Sequence, residues 1–241
     1  MLKESASSFL ETLTNQQKLL VYGLVHLNRR GLEISWDFDQ VLLKSEVPVL
    51  DFVDKDLGTR YSGRKIKGWN SISKWLTEDG LKPEKEALEY EDWVWTEPKI
   101  IKDALPNERL RALSLAAKRR GIKQTISTSR VHKLASTTDG QVKLHFPWLE
   151  GRVNQRRSEA DGPSGENFKV AKVSEIYRRN PDVIHLDDSM TFMRKLLMAC
   201  PGINVLGFPA PDERHDDLYG EMRIFFPEIS IFESLIYHTI D

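Results

Sequence analysis

The sequence predicts an α/β fold built on a parallel sheet with helices on both faces. Three observations carry this. Short apolar or β-branched runs alternate with helical runs along the chain. Polar clusters stand at the C-terminal ends of the apolar runs, where sheets of this kind hold their ligands. A segment of different composition interrupts the alternation after the first run, as an inserted unit would.

Taken in order, apolar positions between 6 and 28 recur at helical spacing (Phe9, Leu10, Leu13, Leu19, Leu20, Leu24, Leu27), and Gly31 supplies a stop. LEISW then reads as the first strand and leads directly into DFDQVLL. The stretch GTRYSGRKIKGWNSISKWLTEDGLKPEKEALEYEDWVWTEP is rich in Trp, Tyr and charge, with helices expected around 68–78 and 83–93. Its length and position suggest a small α-helical cap over residues 45–106, with 1–44 and 107–241 forming the core. Residues 107–120 form the next helix, ending at Gly121, and IKQTISTSR a β-branched strand that ends in hydroxyls. Residues 150–167 are rich in Gly, Ser and Arg and read as a mobile loop. NFKVAKVSEIYRR opens a third helix, with Val170, Val173, Ile176 and Tyr177 on one face. VIHLDDS follows as a strand, then a helix through Met193–Met198, then INVLGFP as a further strand.

The 241 residues can bury a sizeable core, and Lys+Arg 35 against Asp+Glu 36 leaves a net charge of −1. No bulk field therefore favours nucleic acid or an anionic membrane, though a local basic pocket is compatible with it. Cys200 is the only cysteine, which excludes an intrachain disulfide and a thiolate zinc cluster and fits a reducing compartment. Its surroundings, FMRKLLMACPGINVLGF, read as core. No apolar run is long enough for a membrane span, and the first residues are too polar for a signal peptide. The expected location is the cytoplasm.

Asp37 and Asp39, spaced i and i+2 just past a strand, can face one cation while Phe38 points elsewhere. Magnesium is a hard ion usually held by one or two carboxylates, waters and substrate phosphate. One carboxylate could attack phosphorus and the other move a proton. A metal and a lysine would offset the repulsion between a carboxylate and a phosphate dianion.

Four motifs in order resemble those of the haloacid dehalogenase (HAD) superfamily of phosphohydrolases. WDFDQVLL is similar to its first motif, TISTSR to the second, NFK with its following helix to the third and VIHLDDS to the fourth. The resemblance implies a Rossmann-like core, Mg2+ as cofactor, and hydrolysis of a phosphate monoester through an aspartyl-phosphate. It makes Asp37 the nucleophile and metal ligand. Asp39 becomes the acid/base, lending the metal its backbone carbonyl. Thr128, with Ser129 beside it, would bind the phosphoryl oxygens. Asp188 would be the metal ligand of the acidic pair, with Asp187 second or alternate. Lys169 at the helix start is preferred over Lys172 as the phosphate-binding lysine. Gln40 departs from the pattern, since the family commonly has Gly or a small residue there. It narrows the room beside the nucleophile and is a candidate substrate contact.

An insert after the first motif resembles the branch with a helical cap, and the Trp-rich cap and TSR ending look similar to 5'(3')-deoxyribonucleotidase-type members. The implied partner is a small-molecule phosphate ester, a nucleotide among the candidates, with Trp69 a candidate base contact. The spacing of Trp69, Ile72, Trp75 and Leu76 equally describes an apolar helix face. Arg130 suits either a substrate phosphate or an acidic neighbour. Lys44 and Ser45, the arginines at 152, 156 and 157, and PDERHDDLYG read as solvated loops, and His132, His145 and His185 as scattered structural residues. Two alternatives stay open. One is a phosphatase of nucleic-acid ends, suggested by the basic loop; the other is a binding protein on an inactive HAD-like scaffold, suggested by Gln40.

Overall fold

In the computed structural model, residues 31–66, 68–162, 164–207 and 224–225 are described. The helix expected over 6–28 and the segment PDERHDDLYG lie outside these residues. Strand β1 (Glu33–Trp36) is buried along its whole length, as a central parallel strand must be. Ile34 and Trp36 enter one apolar cluster, and the Trp36 indole donates to Gln124 Oε1 at 3.0 Å. The polar residues Glu33 and Ser35 occupy the opposite face. Arg179 holds Glu33 at 2.8 Å, and Ser35 bonds Ser127 Oγ at 3.2 Å. The polarity of LEISW is thus matched residue by residue rather than left exposed.

Beyond β1, strand β2 (Leu43–Lys44) leads into helices α1 (Glu46–Leu57), α2 (Ser71–Glu78), α3 (Glu84–Thr96) and α4 (Pro98–Ile101). Strand β3 (Leu105–Pro106) returns antiparallel to β2, so a two-stranded ribbon brackets the helical insert. The insert has its own apolar cluster, centred on Val49, Val53, Tyr61, Ile72, Leu76 and Val94. Helix α2 begins at Ser71, so Trp69 precedes it and is 67% exposed. Only Ile72, Trp75 and Leu76 of the expected apolar face pack inward.

Helix α5 (Glu108–Arg119) is capped by the Asn107 side chain, and Gly121 follows it with a φ of 74°, a left-handed turn that glycine takes without strain. Strand β4 (Lys123–Ser127) comes next, then α6 (Ala135–His145) and β5 (Val153–Asn154). Helix α7 (Gly165–Arg179) is capped by Ser164. Strand β6 (Val183–Asp187), α8 (Met190–Ala199), β7 (Asn204–Gly207) and β8 (Ile224–Phe225) complete the order. The expected loop at 150–167 therefore contains β5, a short turn at Glu159–Asp161 and the first residues of α7.

The sheet runs β5-β4-β1-β6-β7-β8 with every pairing parallel. Residues of α5 and α6 pack with Ile34, Trp36, Ile126 and Ile184 on one face. Residues of α7 and α8 pack with Val183 and Val205 on the other. Cys200 lies in this second layer, buried against Ser174 Oγ at 3.2 Å. The fold is a Rossmann-like α/β sheet with helices on both faces, and β1, β4 and β6 bring their C-terminal ends to one rim.

Candidate active site

Asp37 is the first residue past β1, and its backbone N–H still donates to Leu186 O at 2.8 Å. The carboxylate is pinned from two sides: Oδ1 accepts from Phe38 N at 2.7 Å and from Lys169 Nζ at 2.8 Å. Phe38 turns away into the core, edge-on to Phe146 at 6.3 Å. Lys169, 2% exposed, reaches up from α7 and also meets Asp187 Oδ2 at 2.5 Å. It lies in the second turn rather than at the helix start, because α7 begins at Gly165. Lys172 faces outward and pairs with Glu175 at 3.0 Å.

Asp187 ends β6, fully buried. Its Oδ1 accepts from Ser189 N at 2.9 Å, and its Oδ2 is met by His185 Nε2 at 2.9 Å. The other ring nitrogen of His185 meets Ser35 Oγ at 2.9 Å. His185, read from sequence as a scattered structural residue, is therefore the direct partner of an acid in the site. A signal for it existed, since alternate residues of a strand share a face and His185 precedes Asp187 by two. Asp188 lies beside Asp37, and ligand atoms of Asp37, Asp187 and Asp188 all fall within 4.8 Å of one another.

Three carboxylates around one ammonium are electrostatically crowded. Burial pushes the Asp37 carboxyl up to about 7, against the pull of Lys169. Burial, with Asp37 and Asp187 adding repulsion, lifts Asp188 well above the usual carboxylate range. Asp187 is held low: burial opposes ionisation there, but Lys169 and His185 outweigh it. Lys169 is held above its ordinary value because Asp187 and Asp37 overcome its burial. A divalent cation is the species that relieves such crowding.

Thr128 follows β4, next to β1 in the sheet. It is buried, and its Oγ1 accepts from Arg130 N at 3.2 Å. Ser129 is exposed. The N-terminus of α7 presses against this loop: a Cβ on Gly165 would stand 1.8 Å from Ser129 O. Glycine is required for that approach.

Asp39 is half-buried, and its surroundings select one of the two readings of Arg130 and correct that of Ser45. Arg130 faces this acid, with Nε 2.8 Å from Oδ2 and Nη2 2.6 Å from Oδ1. Ser45, read as part of a solvated loop, is fully buried and donates to Asp39 Oδ1. Lys44 is exposed. Burial would raise the Asp39 carboxyl, but Arg130 and Ser45 hold it below its usual range. Gln40 takes a left-handed φ of 61°, which explains why a small residue suits this position.

Trp69 stacks on Trp95 with centroids 6.3 Å apart. Arg156 is buried, 6% exposed, which corrects its reading as part of a solvated loop, whereas Arg152 and Arg157 are exposed, Arg157 pairing with Asp139 at 2.7 Å. Arg156 lines a cavity of about 530 Å³ with Asp92, Thr96, His132, Lys133 and Glu159, between the insert and the loops after β4 and β5. Among the described residues no helix is long and apolar enough to cross a membrane.

No protein-family model matches the chain, and no curated protein does. Solved structures match it in fold. A HAD family hydrolase from Deinococcus radiodurans, with bound phosphate and sodium, is 14% identical with a TM-score of 0.54, covering 86% of this chain and 95% of its own. A HAD-superfamily hydrolase of subfamily IA from Geobacter sulfurreducens is 16% identical, with a TM-score of 0.54 over 86% and 96%. An archaeal beta-phosphoglucomutase from a hyper-thermophilic Pyrococcus is 16% identical, with a TM-score of 0.51 over 85% and 98%. At these identities the likeness establishes a HAD-like fold.

Proposed function

We propose that the chain is a magnesium-dependent phosphatase that hydrolyses a small-molecule phosphate monoester through an aspartyl-phosphate on Asp37. The observation that carries this is the cluster of buried Asp37, Lys169 and Asp187 with half-buried Asp188 at the C-terminal ends of β1 and β6. Its carboxylate-only donor set fits a hard divalent cation, with Asp37 and Asp188 as the available ligands, since Lys169 and His185 already occupy Asp187 Oδ2. When bound, Mg2+ would supply positive charge to offset that of the phosphoryl oxygens.

This chain's own groups divide the rest of the work. Asp37 attacks phosphorus, and Lys169 holds its carboxylate in place while adding positive charge. Thr128 binds the phosphoryl oxygens. Asp39 hands a proton to the leaving oxygen and takes one from the water that releases phosphate. The phosphate bound by the Deinococcus hydrolase supports reading this rim as a phosphate site. Helices α1 to α4 would act as the cap. A nucleotide is the first substrate to test, because exposed Trp69 offers a base a stacking face on the insert, worth roughly 1–3 kcal/mol.

The test is Mg2+-dependent release of phosphate from p-nitrophenyl phosphate, nucleotides and sugar phosphates by the wild type and by Asp37→Asn. Turnover by the wild type alone is expected. Undiminished turnover by Asp37→Asn would remove Asp37 as nucleophile.

A further inference from the structure

Arg130 stands two residues past Thr128, where an incoming ester would be expected to meet it, yet all three nitrogens of its guanidinium are engaged within the protein. Nε and Nη2 form a two-point fork on the Asp39 carboxylate, at 2.8 and 2.6 Å. Nη1 donates to Gln141 Oε1 at 2.7 Å and Thr138 Oγ1 at 3.0 Å, both from α6. The Phe38 ring lies 4.6 Å from the guanidinium carbon, and the Arg130 side chain is 3% exposed. Gln141 passes the restraint on, its Nε2 donating to Ile101 O at 2.7 Å, where α4 ends and the insert turns back to the core. Ser45 Oγ adds a third hydrogen bond to Asp39.

We propose that Arg130 is the positioning residue of Asp39, aiming its carboxylate through a fork held by α6 and, through Gln141, by the end of the insert. The inference rests on the phosphatase reading and goes beyond it by moving Arg130 from substrate contact to support of the acid/base. A guanidinium presents parallel donors that fix both the place and the rotation of a carboxylate, whereas an ammonium is a point charge that fixes neither plane nor direction. The aim of Asp39 matters where it moves a proton. In the first step Asp37 Oδ bonds phosphorus and the ester P–O bond breaks. The departing oxygen keeps the electron pair and receives a proton from Asp39, which is ionised at rest and takes that proton up from the monoanion of the bound ester. In the second step water attacks phosphorus, returns a proton to Asp39, and the P–Oδ bond breaks to restore Asp37. A p-nitrophenolate departs without help, while an alkoxide needs the proton. Both esters yield the same aspartyl-phosphate, so comparing them isolates the leaving-group step.

The experiment measures kcat/KM with Mg2+ on p-nitrophenyl phosphate and on glycerol 2-phosphate for the wild type, Arg130→Lys, Asp39→Asn and the double variant. Arg130→Lys is expected to raise the aryl-to-alkyl preference by about tenfold or more, part of the ~10²–10⁴ that a positioned acid/base contributes. In the Asp39→Asn background the same substitution should change p-nitrophenyl phosphate turnover by less than about twofold, since residues acting as one unit are not additive. A merely structural role for Arg130 would lower both esters alike and add to Asp39→Asn; either result overturns the proposal. Gln141→Leu leaves both fork partners in place and should shift the preference in the same direction, which keeps the test open if Arg130→Lys does not fold. An unchanged preference in a folded Gln141→Leu then overturns it. Absence of turnover of any ester by the wild type would instead refute the phosphatase reading, and this inference with it.

Discussion

Asp37, Asp187 and Asp188 crowd one ammonium, and that crowding gives the site a pH signature. Burial holds the proton of Asp37 up to about 7, and Asp188 is raised in the same direction. A carboxyl raised on folding contributes stability that is complete below its ordinary value and lost as pH rises through the folded one. Asp39 and Asp187 are held low and stay ionised in both states near neutrality, so they add no slope there. His185 works oppositely: burial keeps it neutral, and that contribution grows as pH rises toward the ordinary histidine value. The clean measure is therefore the gain in stability on adding Mg2+, because the ion takes the place of protons on the carboxylates. Thermal melts should show a larger Mg2+ gain at pH 8 than at pH 6, reaching about 2.7 kcal/mol when Mg2+ is a hundredfold above its Kd. An equal gain at both values would mean that Asp37 and Asp188 do not hold the ion.

Helix α7 illustrates how an element aims a side chain. Its capping Ser164, its Gly165 contact with Ser129 O and its apolar Val173 and Ile176 together set where Lys169 emerges. Gly165→Ala would push a Cβ into the Ser129 carbonyl, so the helix start or the loop after β4 must shift. The expected cost is about 1–3 kcal/mol of stability, typical of overpacking. It should come with a fall in kcat as Lys169 and Thr128 move apart. Wild-type kcat and stability in that variant would show that the contact is dispensable. The helix itself was legible in NFKVAKVSEIYRR, where apolar residues recur on one face. Helix α6 was not. ASTTDGQVKLH is polar, contains paired threonines and a glycine, and buries only Thr138, Gln141 and Val142. Its helicity depends on tertiary partners such as Arg130 and Ile101 O, which no local pattern announces.

At the scale of the whole molecule, the described residues form three apolar clusters. Two line the opposite faces of the sheet, and the third lies among α1 to α4, beyond the β2–β3 ribbon, with Leu134 reaching into it. The central strands β1 and β6 lie between helical layers, while the insert rests on a smaller core. Hydrogen exchange should therefore be slowest in β1, β4 and β6 and measurably faster in α2 and α3, because sub-global opening follows the smaller cooperative unit. Equal protection across both would show that they unfold as one body.

By itself the sequence determined the alternation of strands and helices and the arrival of Asp37, Thr128 and the Asp187–Asp188 pair at strand ends. These follow from local chain chemistry, namely periodicity, stop signals and the habit of polar residues to end a buried strand. Only the tertiary structure decided which lysine turns inward, that Arg130 and Ser45 hold Asp39, and that the Trp69 side chain stays outside the packed face of its helix. Each of these joins residues distant in sequence or depends on which way a side chain turns. Burial and hydrogen-bond satisfaction settle such contacts after the chain has folded, and spacing along the chain cannot encode them.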